Sequence, residues 1–93
     1  MTWNEYKEEL KNANPRTKAD IEEMEQLAMI VTAIIDQREA LGLTQRDVAK
    51  VCHMAQSSVA RIESGKSIPN LTTLLNILYN LNLKIVISKQ TAS

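Results

Sequence analysis

Ninety-three residues, 44% of them hydrophobic and none of them phenylalanine, describe one small domain with extensions, its modest core filled by aliphatic side chains and methionine. A single cysteine excludes an internal disulfide and suits a reducing cytoplasm, and no apolar run approaches membrane-spanning length. The net charge is zero but uneven: residues 1–36 hold four basic and eight acidic side chains, residues 37–93 seven basic and three acidic, a division that suits two surfaces for two kinds of partner.

The first ten residues carry Glu5, Glu8 and Glu9 where a signal peptide would need a basic start and an apolar run. Trp3 to Lys11 reads as a short helix capped by Thr2 or Asn4, with Trp3, Tyr6 and Leu10 on one face at helical spacing. Those two aromatics either anchor a partner protein or fold back onto the core, and the sequence favours neither. Asn12 to Arg16 contains N-A-N-P, which ends the helix.

A long helix follows, expected from Thr17 as cap to Leu41, with Asp20 completing the cap. Ile21, Met24, Leu27, Ala28, Val31, Ile34, Ile35 and Leu41 recur at threes and fours. Glu22, Glu23, Glu25, Asp36 and Glu39 lie on or near the other face, and Gly42 ends the helix. Its C-terminal part is expected to pack on the elements that follow. Its N-terminal part must find cover from the first helix, a second subunit or a partner.

Thr44 to Glu63 reads as two short helices joined by a tight turn. Thr44 and Asp47 form a reciprocal cap for the first, whose apolar side is Val48, Ala49, Val51 and Cys52. Cys52, on that side, reads as a buried small hydrophobe. His53 and Met54 make the turn. The second helix starts near Ala55, turns Val59 and Ile62 inward, and ends before Gly65. Gln56, Ser57, Ser58 and Arg61 are left outward, side chains of the kind that read base edges in a major groove.

These residues resemble the Xre family of helix-turn-helix regulators, the lambda-repressor-like DNA-binding domains. The resemblance rests on Arg38-x-x-Leu41-Gly42-Leu43-Thr44-Gln45, Val48-Ala49, Gln56 through Lys66, and Pro69, and runs from about Ile34 to Leu83. It implies an all-α fold in which Arg38 pairs with Glu63, tying the first family helix to the end of the reading helix. It also implies a dimeric repressor on double-stranded operator DNA. Gln56, Ser57 and Arg61 would read bases, Ser58 a base or a phosphate, and Gln45, Lys66 and Asn70 would hold phosphates.

Beyond Gly65, Lys66 to Asn70 forms a loop, and Leu71 to Leu81 a helix with Leu71, Leu74, Leu75, Leu78 and Leu81 inward. Leu83 to Ser88 is rich in branched residues and reads as a β-strand. No other segment offers it a partner, so Lys84, Ile85, Val86 and Ile87 are expected to pair with the same strand of a second copy. The organisation is then an N-terminal helix and linker over 1–16, a helix-turn-helix domain with an extended first helix over 17–83, and a dimerisation strand and tail over 84–93.

His53 is the only histidine, and Gly42 and Gly65 each end a helix rather than forming a phosphate-cradling loop, so neither metal, cofactor nor catalysis is expected. Two function classes stand: a DNA-binding repressor, and a protein-binding inhibitor acting through its N-terminal helices. The opening M-T-W-N-E-Y-K-E-E-L, the long acidic helix, the helix-turn-helix and the closing L-K-I-V-I-S together resemble the short HigA-like antitoxins, which combine both. That resemblance implies a small basic toxin of the RelE type as partner, met by Trp3, Tyr6, Leu10, Glu22 and Glu23. The alternative is a stand-alone or phage-type regulator.

Overall fold

The computed structural model describes residues 2–13 and 15–90, with the side chains of residues 10–16 outside the description. It holds α1 (Trp3–Ala13), α2 (Pro15–Ala40), α3 (Gln45–Val51), α4 (Gln56–Glu63) and α5 (Leu71–Asn80). The all-helical expectation holds among the described residues. No helix there is long and apolar enough to cross a membrane.

α1 is capped by Thr2, whose hydroxyl accepts the Glu5 N–H at 3.2 Å while the Thr2 N–H donates to the Glu5 carboxylate at 3.3 Å. It lies along the first half of α2, joined by Lys7 Nζ to Glu25 at 3.3 Å, above a buried Ile21. α2 begins at Pro15, not at Thr17, which lies inside the helix. Proline is favoured at a first helical position, where no N–H is needed and φ is already set.

One core joins the second half of α2 to α3, α4 and α5: Ile34, Val48, Ala49, Cys52, Val59, Ile62, Leu74, Ile77, Leu78 and Leu81, flanked by Ile30, Leu43, Met54 and Leu83. Burial pushes the Cys52 thiol above its ordinary pKa, and it packs as a small hydrophobe. Several expected core residues face solvent. Val51, Met24, Leu41, Leu71 and Leu75 are exposed. α5 is rotated so that Ile77 faces the core in place of Leu75, and Leu71 sits in the first turn, at the margin of what α5 covers. α2 outruns the domain: in its first half Ile21 is buried beside α1, while Met24 stays in solvent.

Four helices end in the same way. After α2, α3, α4 and α5, a residue with positive φ (Gly42, His53, Gly65, Asn82) reverses the chain. The amide of the next residue then bonds back five positions: Leu43 to Arg38, Met54 to Ala49, Lys66 to Arg61 and Leu83 to Leu78, at 2.8–3.0 Å. Side chains finish the packing between elements. Gln37 donates to the Leu81 carbonyl at 2.9 Å, and Asn76 to the Cys52 carbonyl at 2.8 Å.

The expected strand does not form. Leu83 packs on the core, but residues 84–90 adopt no regular structure, and their backbone has no hydrogen-bond partner among the described residues. A strand is stable only beside another, and the chain supplies none.

α3 starts with the reciprocal cap: Asp47 N–H to Thr44 Oγ1 at 3.0 Å and Thr44 N–H to Asp47 Oδ2 at 2.9 Å. The Thr44 backbone and hydroxyl together hold the Asp47 carboxyl below its ordinary 3.8. A lowered folded pKa adds stability above the unfolded value that is lost as pH falls through the folded one. Asp47→Asn is therefore expected to lower the melting temperature near neutral pH. The gap from wild type should close below about pH 3.8; equal gaps at pH 7 and pH 2.5 in thermal melts would remove the ionised cap from the account.

Candidate nucleic-acid interface

The centre of the helix-turn-helix is one carboxylate. Glu63, at the end of α4, accepts Arg38 Nε at 2.8 Å and Arg38 Nη2 at 3.0 Å in a forked pair. Its Oε1 also takes the Gln45 side-chain amide at 3.0 Å, and Arg38 Nη1 donates to the Leu43 carbonyl at 2.9 Å. Only 13% of the Arg38 side chain and 5% of the Glu63 side chain are exposed. The hydrogen bonds to Glu63 raise the Arg38 pKa further, so the guanidinium stays charged. The end of α2, the start of α3 and the end of α4 thus meet at one group, and Arg38 is fully engaged within the protein.

Val59 and Ile62 anchor α4, at 1% and 3% exposure. Gln56, Ser57 and Arg61 stand exposed and Ser58 half-exposed, none with a side-chain hydrogen bond within the chain. The α4 cap position is Ala55, which has no side-chain acceptor, so the Gln56 and Ser57 amides point outward unpaired. Such amides attract anions. Lys66 is exposed beyond the helix. Asn70 caps α5, its Oδ1 accepting the Thr73 N–H at 2.8 Å, which leaves its NH2 outward. Gln45 is half-buried, and Glu63 takes one of its two N–H groups, leaving one donor.

Arg46 and Lys50, exposed on α3, add positive charge that sequence reasoning left unassigned. Their spacing of four on a helix was the available signal. Arg46, Lys50, Arg61 and Lys66 have no carboxylate within ion-pair distance, while Glu63 is buried against Arg38 and the exposed Asp47 carboxylate is engaged by the Thr44 N–H. The exposed charge on α3, on α4 and just beyond α4 is net positive, four cations against Asp47.

The other predicted site residues lie elsewhere. Trp3 and Tyr6 lie side by side on α1, their rings tilted with centroids 6.1 Å apart, and are 61% and 46% exposed, so they do not fold back into the core. Glu23 is exposed and Glu22 half-buried on α2, while the Leu10 side chain lies outside the described residues. Lys84 to Ile87 lie in the unstructured C-terminal segment.

The family model that matches the chain is HTH_3, Helix-turn-helix, over residues 34–91. An uncharacterized HTH-type transcriptional regulator of Haemophilus influenzae is 30% identical over 76 residues, 82% of this chain and 72% of the relative. No solved structure gives a significant match. The chain belongs to this helix-turn-helix family.

Removing one partner of the buried pair strands a charge. Glu63→Ala is expected to destabilise the fold by about 3 kcal/mol in urea unfolding, whereas Arg38→Met with Glu63→Leu should recover most of that loss. A single substitution costing under about 0.5 kcal/mol, the range of an ordinary surface change, would show the pair to be dispensable.

Proposed function

We propose that this helix-turn-helix protein is a transcriptional regulator that binds double-stranded operator DNA as a homodimer, with α4 in the major groove. The observation that carries the reading is the outward face of α4. Gln56, Ser57, Ser58 and Arg61 are unpaired and rigidly presented, above an uncapped helix start. Gln56, Ser57 and Arg61 read base edges, and Ser58 a base or a phosphate. Gln45, Lys66 and Asn70 hold phosphates with donors the fold leaves free. Two copies place two reading helices on half-sites about one helical turn apart.

Arg61→Ala is expected to cost about 1–3 kcal/mol on the natural operator and to relax preference at one base pair. Lys66→Ala should weaken all sequences alike and lower the salt slope by about 1. Fluorescence anisotropy over a salt series separates the two. Unchanged operator binding by Arg61→Ala would move the reading face off α4.

A second role is supported by the N-terminal hairpin. α1 is held to α2 by Lys7 and Glu25, yet leaves its aromatic pair in solvent beside the exposed Glu8, Glu9 and Glu23. Exposed aromatics flanked by acids fit a basic protein surface, the aromatics supplying affinity and the acids encounter rate and choice. This is the arrangement expected of a HigA-like antitoxin that restrains a small basic ribonuclease toxin of the RelE type. Trp3→Ala with Tyr6→Ala should weaken capture of the adjacent gene's product by at least about 2 kcal/mol while leaving operator binding unchanged. If no neighbouring gene product binds the wild type, the regulator stands alone.

A further inference from the structure

We infer that the groove between α2 and the C-terminal segment is a binding site for a small aliphatic carboxylate, with the chain in the groove and the head at Lys84. The inference goes beyond the regulator reading and needs none of it.

The groove has a volume of about 610 Å3. Small-ligand sites run to roughly 300–1,000 Å3. Its floor is one stripe of α2, Gln26, Met29, Ile30 and Ala33, with Leu78 of α5, and its other wall is the segment from Leu83 onward. The apolar part is uncovered: Met29 is 71%, Val86 83% and Ile87 91% exposed. Exposed apolar surface gathered in a concavity marks the seat of an apolar occupant. With a helical rise of about 1.5 Å per residue, the floor from Gln26 to Ala33 spans about 10 Å. No aromatic ring lines the groove, and the thioether of Met29 adapts to the shape it meets. Such a surface suits a flexible aliphatic chain better than a flat ring.

A second, polar hollow places the head. Tyr79, Asn80, Asn82, Leu83 and Lys84 line it, so Leu83 and Lys84 belong to both. Lys84 is the only charged side chain in either lining, and no carboxylate lies within ion-pair distance of it among the described residues. The Asn82 side chain is exposed and likewise has no hydrogen bond there, whereas the Asn80 amide is spent on Asn76 at 2.8 and 2.9 Å. One ammonium and one amide match the two oxygens of a single carboxylate. They are too few for a nucleic acid, whose phosphates take a field of cations. A membrane surface likewise draws clusters of basic residues, not one. A basic protein finds no acid in either lining. None of the lining residues belongs to α1, α3 or α4, so the site is separate from the aromatic pair and from the candidate DNA face.

Decanoate is the probe, added below its micellar concentration to the full-length chain without DNA, so the result is independent of the regulator reading. The readout is the methyl resonances of isotope-labelled methionine. Met29, on the floor, should shift; Met24, 70% exposed but outside the groove, is the internal control and should not. Decanoate should bind at least about tenfold tighter than hexanoate, since each buried methylene tightens binding by up to about fourfold. Lys84→Gln should weaken decanoate about fivefold, as loss of one exposed ion pair does, and leave neutral decanol unchanged. Ala33→Glu, at an exposed helical position on the floor, should weaken both ligands by at least about tenfold while keeping the wild-type far-UV dichroism. Equal shifts at Met24 and Met29, no gain from hexanoate to decanoate, or indifference to either substitution would each overturn the proposal. A Met29 resonance that moves with protein concentration and ignores decanoate overturns it too, giving the groove to a second copy. Binding to anionic phospholipid vesicles with no response to free decanoate does the same in favour of a membrane.

Discussion

The fold of this protein depends on how one buried carboxylate is satisfied. Glu63 sits where a negative charge would be costly, and three donors from two other helices converge on it. The forked guanidinium of Arg38 suits this place as an ammonium would not: it covers both oxygens and keeps one arm for the Leu43 carbonyl. The consequence is geometric. α3 and α4, at seven and eight residues, are too short to persist alone. Their positions come from the core beneath them and from this shared group at their ends. A reading helix must hold its outward side chains in one orientation, and the knot at Glu63 supplies that rigidity from inside.

The repeated chain reversal after α2 to α5 serves the same end. Each reversal uses a single residue of positive φ and returns the next amide to the helix just finished. Connections stay short and the helix ends stay satisfied. At Gly42 and Gly65 the conformation costs little. At His53 and Asn82 a side chain is carried into the left-handed region, where Asn and His are among the residues most tolerant of it. At both of these positions, the following residue (Met54 and Leu83) lands against the core.

What could be read from the sequence was the part written locally. Thr44, Asp47 and Asn70 announce caps, Gly42 and Gly65 announce ends, and the α4 pattern separates Val59 and Ile62 from the hydrogen-bonding face. The Arg38–Glu63 contact, 25 residues apart in sequence, came only with a family resemblance; nothing in local spacing pairs those two charges. The turn at His53 was read in the right place but without its positive φ, and the reversal at Asn82 was not read at all. Burial failed where it depends on what an element must cover. Leu71 and Leu75 carry the inward period of α5 but lie outside the patch it buries, and Met24 carries that of α2 with no element to meet it. The C-terminal segment failed differently. Its branched residues do favour a strand, but a strand is a property of two segments, and only one is present in a single chain.

Charge, apolar surface and backbone are apportioned in a way that bears on how many partners the protein can hold at once. The face around α4 is cationic because Arg46, Lys50, Arg61 and Lys66 stand exposed while Glu63 is buried against Arg38, the hairpin of α1 and α2 is acidic with aromatics in solvent, and the groove between α2 and the C-terminal segment is nearly uncharged. By charge alone, a phosphate backbone is disfavoured at the acidic hairpin, and the nearly uncharged groove offers no counter-charge to a polyanion or to a basic surface. The three surfaces draw on different residues. α2 runs as one continuous helix from the acidic hairpin, past the groove, to Arg38, whose guanidinium meets Glu63 at the end of α4.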